Sequence, residues 1–158
     1  MTIIANRIDG RLIHGQVANL WTTKLDITRL MVIDDVVAEN TVDKSGLKLA
    51  TPAGVKLSVL PVKKAADNIL NGKYDSQRLM VIAKGPDQFL ELVNYGVNID
   101  ELNVGNMSQT NETRSIKRSI NVTDKDIETF KQLNDKGIRI ISQMVPNDNS
   151  EDFMSLIK

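Results

Sequence analysis

Residues 55–96 read VKLSVLPVKKAADNILNGKYDSQRLMVIAKGPDQFLELVNYG, and this stretch carries the pattern that decides the fold. Two short apolar runs, residues 55–60 and 79–83, have the composition of strands that are covered on both faces. Each run is followed by an amphipathic stretch with helical spacing, the first ended by Gly72 and the second by Gly96. The connection between the runs is too long for a hairpin, so the pattern predicts parallel strands joined by a helix.

The same alternation extends outward in both directions. Further apolar runs lie at residues 3–5, 30–33, 102–104 and 138–145. A helical stripe follows the first of these runs and consists of Val17, Leu20, Trp21 and Leu25. Thr123 and Asp126 form a variant capping box at the start of a later helix, which Gly137 ends. Residues 111–122 predict an exposed or edge strand, and residues 151–157 predict a short terminal helix.

This pattern is typical of βαβ units. It predicts a single-domain α/β fold with an open, mostly parallel β-sheet and helices on both faces. The order of the strands in the sheet does not follow from the pattern. At 158 residues the length also predicts one domain, residues 1–158.

The composition excludes several classes of function. Twenty Lys and Arg balance 20 Asp and Glu, and this zero formal charge argues against a general nucleic-acid binder. With one histidine and no cysteine, a zinc site would need carboxylates for nearly all its ligands, and no disulfide framework is possible. The N-terminus predicts no signal peptide, and no apolar run approaches the length of a membrane span. We therefore expect a soluble, cytoplasmic chain.

The loop after the first predicted strand has the most distinctive chemistry. Residues 6–16 read NRIDGRLIHGQ and hold two arginines, one aspartate and the only histidine. His14 lies just before a helix, whose positive N-terminal end disfavours imidazolium and stabilises an anion. A neutral imidazole is a competent nucleophile, so it could attack phosphorus and hold a phosphoryl group against the N–H groups of the first helical turn.

The neighbouring residues fit this chemistry. Arg7 and Arg11 could donate to phosphate oxygens as planar forks, and Asp9 could hold a ring nitrogen or pair with an arginine. Gly10 and Gly15 would allow tight backbone geometry. A lone loop histidine is nevertheless more often a hydrogen-bonded surface or core residue. The residues alone therefore leave both a phosphate-handling loop and an inert loop open.

Other loops carry weaker signals. The pair at residues 34–35, Asp-Asp, is compatible with Mg²⁺ but is more typical of a solvated pair or a helix cap. Residues 105–108 (GNMS) present either an anion-binding backbone or an ordinary turn. Residues 84–86 (KGP) suggest proline at a helix start, and residues 117–118 (KR) a solvated strand face. The P-loop, the dinucleotide-binding glycine motif and the G-x-S-x-G elbow are all absent from the sequence.

The segment at residues 7–17, RIDGRLIHGQV, closely resembles the active-site signature of one bacterial family. This family comprises the IIB components of the mannose/fructose/sorbose family of the phosphotransferase system. Further matches follow in the same order along the chain, at residues 32–38 (VIDDVVA), 102–107 (LNVGNM) and in the tail from residue 124 to residue 146.

The resemblance implies a cytoplasmic phosphocarrier. His14 matches the histidine that accepts a phosphoryl group from the phosphohistidine of the IIA component. The group then passes to sugar carried by the membrane components IIC and IID, with which the protein associates peripherally. Arg7, Asp9 and Arg11 match charged positions of the same loop. The implied phosphate-binding residues are Gly15, Gln16, Gly105, Asn106 and Ser108. No metal or organic cofactor and no nucleic acid is expected, and a homo-oligomer is left open.

Two positions depart from the family pattern. The family often has an acidic residue where this chain has Gly10, and often has histidine where it has Ser108. Overall likeness suggests the branch that handles N-acetylgalactosamine or other amino sugars. Two alternatives to the carrier stay open: a small hydrolase or isomerase of a phosphorylated metabolite, and a non-catalytic ligand-sensing or scaffold domain in which His14 is inert.

Overall fold

The computed structural model describes residues 3–157. In this range the strands are β1 (Ile3–Asp9), β2 (Arg29–Ile33), β3 (Lys56–Leu60), β4 (Leu79–Ala83), β5 (Glu101–Asn106), β6 (Arg114–Lys117), β7 (Ile120–Val122), β8 (Arg139–Ser142) and β9 (Glu151–Asp152). The helices are α1 (Gly15–Leu25), α2 (Thr41–Ala50), α3 (Val62–Leu70), α4 (Pro86–Asn94), α5 (Asp124–Asp135) and α6 (Phe153–Leu156). A 3-10 turn, Val37–Glu39, precedes α2.

The main sheet has seven strands in the order β3-β2-β4-β1-β5-β8-β9. All its neighbouring pairs are parallel except β8 with β9. The predicted fold class is therefore confirmed. Strand β1 lies between β4 and β5, so the carboxyl ends of these three strands meet at one edge, where ligands bind in open α/β sheets.

Helices cover the two faces of the sheet unequally. Helices α3, α4, α5 and α6 pack on one face, where the rings of Phe130 and Phe153 lie 4.6 Å apart between centroids. The other face is covered by α1 and α2. Of α2 only Leu47 is buried, while Val42 and Leu49 are 80% and 89% exposed. One face of the sheet is thus covered by four helices and the other by two, of which α2 buries a single side chain.

The sequence pattern missed helix α2. Its sequence, TVDKSGLKLA, contains Gly46 and buries only the side chain of Leu47. It therefore lacks the continuous apolar stripe that predicts a helix. Instead it begins with a side-chain cap, in which Asn40 Oδ1 accepts a hydrogen bond from the backbone N–H of Asp43 at 2.9 Å.

Three other predictions need correction. Residues 114–122 form the antiparallel hairpin β6–β7 instead of the one exposed or edge strand predicted for residues 111–122, and Ile120 and Val122 are buried. The terminal segment starts with the short strand β9, and its helix is only four residues long. Strand β1 continues to Asp9 instead of ending at residue 5, because its polar side chains find buried partners, described below. Within residues 3–157, no helix is long and apolar enough to cross a membrane.

Candidate functional site

The connection after β1 is a short turn held by the strand and by two apolar anchors. Asp9 is the last residue of β1, and its carbonyl accepts a hydrogen bond from Leu12 N–H at 2.9 Å. Leu12 has φ +63°, a conformation that is costly for a side chain other than glycine. Leu12 and Ile13 are both buried in the core beneath α1 and α2. This burial offsets the backbone strain and fixes the path from Asp9 to His14.

Asp9 and Arg11 form a two-pronged ion pair. Asp9 Oδ1 accepts from both the backbone N–H and the Nε–H of Arg11 at 3.0 Å, and Oδ2 accepts from Nη2 at 3.0 Å. The Asp9 side chain is 2% exposed, whereas that of Arg11 is 34% exposed. The hydrogen bond that Arg11 donates to the Asp9 carboxylate raises the pKa of Arg11. The carboxylate therefore fixes a charged guanidinium whose outer edge faces solvent.

His14 is exposed at the N-terminus of α1. It has extended backbone geometry as the N-cap, and within residues 3–157 its side chain forms no capping hydrogen bond. The first hydrogen bond of the helix runs from Ala18 N–H to the His14 carbonyl, so the N–H groups of Gly15, Gln16 and Val17 precede the regular ladder. The first turn carries no acidic side chain. An anion attached to His14 would meet free donors and the positive end of the helix.

The end of β5 lies against this turn. Gly10 N–H donates to the Asn106 carbonyl at 3.0 Å. A Cβ added to Gly10 would lie 2.5 Å from Ser108 Oγ and 3.2 Å from Asn106 Oδ1. With Ser108 in this position glycine allows the close approach, and a larger residue would require the Ser108 hydroxyl to move. The two positions at which the chain departs from the family pattern, Gly10 and Ser108, are thus neighbours in space. At Gly15 the same test finds nothing closer than 3.9 Å, so that glycine has no comparable steric reason.

Arg7 lies in strand β1, and its guanidinium faces a different loop. Nη1 donates to the Gln143 carbonyl at 3.1 Å, and Nη2 donates to the Met144 carbonyl at 3.0 Å. The Met144 carbonyl also accepts from Trp21 Nε1 at 2.9 Å, and the Arg7 guanidinium lies 5.5 Å from the Trp21 ring centroid. Burial lowers the pKa of Arg7 to about 10, against the opposing effect of Asp9, so Arg7 is charged at neutral pH.

Gly105 has a steric role beside Arg7. A Cβ at this position would overlap the Arg7 guanidinium, so glycine leaves the room that the buried cation occupies. Asn103 continues the same arrangement, since its side chain donates to the Gln143 carbonyl and accepts from Gln143 N–H at 3.0 and 2.9 Å. We call Arg7, Trp21, Asn103, Gln143 and Met144 the arginine clamp. The sequence offered only a weak sign of it, the single tryptophan.

The other loops resolve into helix caps and ion pairs. Asp34 Oδ1 accepts from the N–H groups of Val36 and Val37, and Asp35 Oδ1 accepts from Val62 N–H at the start of α3. These two carboxylates act as caps, the alternative favoured over Mg²⁺. Pro86 begins α4, as predicted. Lys117 lies on strand β6 and forms an exposed ion pair with Glu151 at 2.7 Å, and Arg118 is exposed, which agrees with the predicted solvated face. No group of three or more potential metal ligands lies together in the described part of the chain.

Comparison with known proteins connects this geometry to a family. The family model described as "PTS system sorbose subfamily IIB component" matches residues 3–158. The chain is 34% identical to the fructose-specific EIIB component of Bacillus subtilis over 100% of this chain and 97% of that protein. It is 39% identical to the mannose-specific EIIAB component of Escherichia coli K12 over 99% of this chain, but spans only 49% of that protein.

Solved structures agree with the sequence relatives. The IIBSor domain of the sorbose permease from Klebsiella pneumoniae superposes with a TM-score of 0.95 at 29% identity, covering 99% of this chain and 96% of that one. The N-acetylgalactosamine-specific IIB component 1 of Escherichia coli has a TM-score of 0.88 at 29% identity, covering 94% and 97%. Since the family model matches nearly the whole chain, the protein belongs to the sorbose-subfamily IIB components of the sugar phosphotransferase system.

Proposed function

We propose that this chain, as one IIB domain over residues 1–158, carries a phosphoryl group on His14. The group comes from the phosphohistidine of a IIA component and goes to sugar bound by the membrane components IIC and IID. The observation that carries the proposal is the exposed imidazole of His14 at the N-terminus of α1, which makes no capping hydrogen bond. It lies three residues after Arg11, whose guanidinium Asp9 holds in place. Membership of the family supports the direction of transfer, because its members belong to sugar-specific systems.

The proposed reaction has two displacements at phosphorus. A ring nitrogen of neutral His14 attacks phosphorus while the N–P bond of the donor histidine breaks, and the electron pair of that bond returns to the donor ring. In the second step a sugar hydroxyl oxygen attacks the same phosphorus and releases its proton to bulk water. The N–P bond to His14 breaks, and the free imidazole is restored. Both steps depend mainly on position and on charge around the transferring group.

Arg11 is the proposed stabiliser of that charge. Its Nε and Nη2 are bonded to Asp9, which leaves the Nη1 donors of this partly exposed side chain outside the ion pair. The backbone N–H groups of Gly15 and Gln16 supply further donors, and the hydroxyl of Ser108 beside Gly10 offers one more.

Arg7 and Gly105 have another part in this proposal. Because Arg7 is buried and bonded to the carbonyls of Gln143 and Met144, it supports the end of β1 instead of touching phosphate. Gly105 makes room for that guanidinium. Asp9 is a positioning residue that acts through Arg11, and Asn106 holds the turn through its carbonyl.

A phosphorelay assay tests the proposal. The protein is incubated with labelled phosphoenolpyruvate, the general phosphotransferase proteins and the cognate IIA component. We expect an acid-labile, base-stable adduct on the wild-type chain, no adduct on His14→Gln, and normal labelling of Lys131→Gln, an exposed control on α5. Absence of label on the wild type in the presence of a competent IIA would refute the carrier.

Two further measurements on the same protein separate the carrier from the two alternatives. Turnover of a free sugar phosphate by the isolated chain would favour a hydrolase or isomerase. Ligand binding without labelling and without turnover would favour a sensing domain. Sugar phosphorylation in vesicles that contain IIC and IID then tests the second displacement, and it should need both membrane components and His14.

A further inference from the structure

Strand β3 leaves one edge of the main sheet unpaired. Lys56 N–H donates to the Thr28 carbonyl, and the Leu60 carbonyl accepts from Asp34 N–H, both at 3.0 Å. Backbone groups of a parallel strand alternate in direction, so Lys56, Ser58 and Leu60 face β2. The N–H and C=O groups of Leu57 and Val59 therefore point away from the sheet, and within residues 3–157 no strand pairs with them.

A groove runs along this free edge. It has a volume of about 870 Å³ and lies between β3, one side of α2 and the loop at residues 51–55. Leu57 and Val59, which are partly buried, form its apolar base. Outward backbone groups above a partly apolar base are the features by which an exposed sheet edge accepts an additional strand.

Every charged side chain that lines the groove is positive. Lys44 and Lys48 reach it from α2, and Lys56 lies on the edge strand, while no Asp or Glu lines it. None of these lysines takes part in an ion pair in the described part of the chain. Arg29, also in the lining, is already bonded to Ser58 and Gln77. A chain with zero net charge thus concentrates three unpaired lysines around one sheet edge.

We propose that this groove binds an extended acidic segment of a partner protein, which joins the sheet as a strand beside β3. Its backbone pairs with Leu57 and Val59. Side chains along a strand alternate between faces, so the carboxylates of one face can meet Lys44 and Lys48 above the apolar base, while the smaller side chains of the other face lie on the side of Lys56. The inference rests on the β3 edge and does not depend on the phosphotransfer role of His14.

Charge also decides between this occupant and a second copy of the chain. Two β3 edges paired antiparallel with each other would place Lys44 and Lys48 of both copies on the same face of the joined sheet, which is unfavourable. Lysines beside an edge discourage basic strands for the same reason, so the charge at this edge favours an acidic strand. Helix α2 separates the groove from Arg11, because Val42 and Gly46 on its other side line a cleft next to that arginine.

The test uses a fluorescein-labelled peptide, ETEVETEV, blocked at both ends, with fluorescence anisotropy as the readout. Two control peptides have lysine in place of each glutamate, or N-methyl groups on alternate backbone nitrogens. We expect the acidic peptide to bind, both controls to lose at least roughly tenfold in affinity, and added salt to weaken binding. Failure of the acidic peptide to bind, or equal binding of the N-methylated peptide, would overturn the proposal.

Variants of the protein locate the site. The double variant Lys44→Glu with Lys48→Glu should lose roughly tenfold or more in affinity, whereas Lys131→Glu with Lys136→Glu, near the end of α5 on the opposite face, should not. Hydrogen exchange should show the amides of Leu57 and Val59 protected by the peptide. Protection elsewhere, or a dimer in sedimentation that the double variant on α2 abolishes, would contradict the inference. Both results are independent of any labelling of His14.

Discussion

Arg7 and Arg11 are four residues apart on either side of Asp9, yet the two guanidinium groups have opposite surroundings. Arg7 is 3% exposed and bonds to backbone carbonyls that lie 136 and 137 residues away in sequence. Arg11 has a side chain that is 34% exposed and bonds to the nearest carboxylate. Arg7, in the strand, binds the distant loop at residues 143–144, whereas Arg11, in the turn, presents its charge to solvent.

Asp9 explains why the surroundings of the two arginines differ. Its carboxylate lies 3.0 Å from Arg11 Nε but 3.7 Å from Arg7 Nη2. Arg7 therefore relies on carbonyls and on the Trp21 ring to compensate for its burial. Of two arginines in one short segment, Arg7 thus stabilises the fold and Arg11 presents a charge at the surface. The predictions below test this division and run from the largest expected change in the free energy of unfolding to the smallest.

Asp9→Asn should have the largest effect, because within residues 3–157 Asp9 is the one carboxylate that pairs with both arginines. Losing one partner of a buried ion pair costs about 3–5 kcal/mol of unfolding free energy. Urea denaturation measures the change. Asp135→Asn, at the exposed end of α5, is the control and should change stability by less than about 0.5 kcal/mol. A loss below about 1 kcal/mol for Asp9→Asn would contradict the role given to this carboxylate.

Arg7→Met should destabilise by about 2–4 kcal/mol, because the partly buried carbonyls of Gln143 and Met144 lose their charged donor and keep only neutral ones, and Asp9 loses one of its cations. The single tryptophan reports on the clamp directly, so its emission should shift in the folded variant. Arg139→Met, an exposed arginine paired with Glu101, is the matched control, with an expected change below about 1 kcal/mol. Equal effects of the two substitutions would remove the distinction between clamp and surface.

Gly105→Ala should cost about 1–3 kcal/mol through overpacking against Arg7. The effect should shrink in an Arg7→Met background, where the guanidinium is gone, and a double-mutant cycle measures this coupling. Gly46→Ala gives the opposite sign. Nothing lies within 4 Å of its added Cβ in α2, so alanine should stabilise by about 0.5–1 kcal/mol. Additive costs at residues 105 and 7 would argue against the steric explanation.

Arg11→Lys should change stability least, by about 1 kcal/mol or less, since the charge beside Asp9 is retained at a partly exposed position. Transfer to the protein should nevertheless slow by roughly tenfold to a hundredfold, because lysine lacks the planar fork. Rapid-quench phosphorylation by IIA measures the rate. A wild-type rate would remove Arg11 from the proposed mechanism and leave the helix N-terminus as the main stabiliser.

The sequence pattern was informative where interactions are local. The apolar runs and glycine stops located the core strands and four of the longer helices, and the capping box at Thr123 and Asp126 is present as predicted. The position of His14 before a helix also followed from spacing alone, and the structure makes it the N-cap. Each of these features depends on residues within about one helical turn of each other.

What the pattern could not reveal depends on distant partners. Arg7 looked like a loop residue, because the carbonyls of Gln143 and Met144 that bury it lie at the other end of the chain. Gly105 suggested an anion-binding turn, since sequence gives no sign that a guanidinium lies against it. The left-handed residue of the turn is Leu12 rather than a glycine, because burial in the core holds it there.

The contact between Gly10 and Ser108 has an evolutionary consequence. Since a Cβ at position 10 would lie 2.5 Å from Ser108 Oγ, a side chain at position 10 requires that hydroxyl to move. A lineage that gains a side chain at position 10 first must pass through an overcrowded turn until Ser108 moves or is replaced. A lineage that first replaces Ser108 by alanine removes the hydroxyl and opens the space beforehand. The order of substitution therefore matters, and homologues should vary at these two positions as a pair.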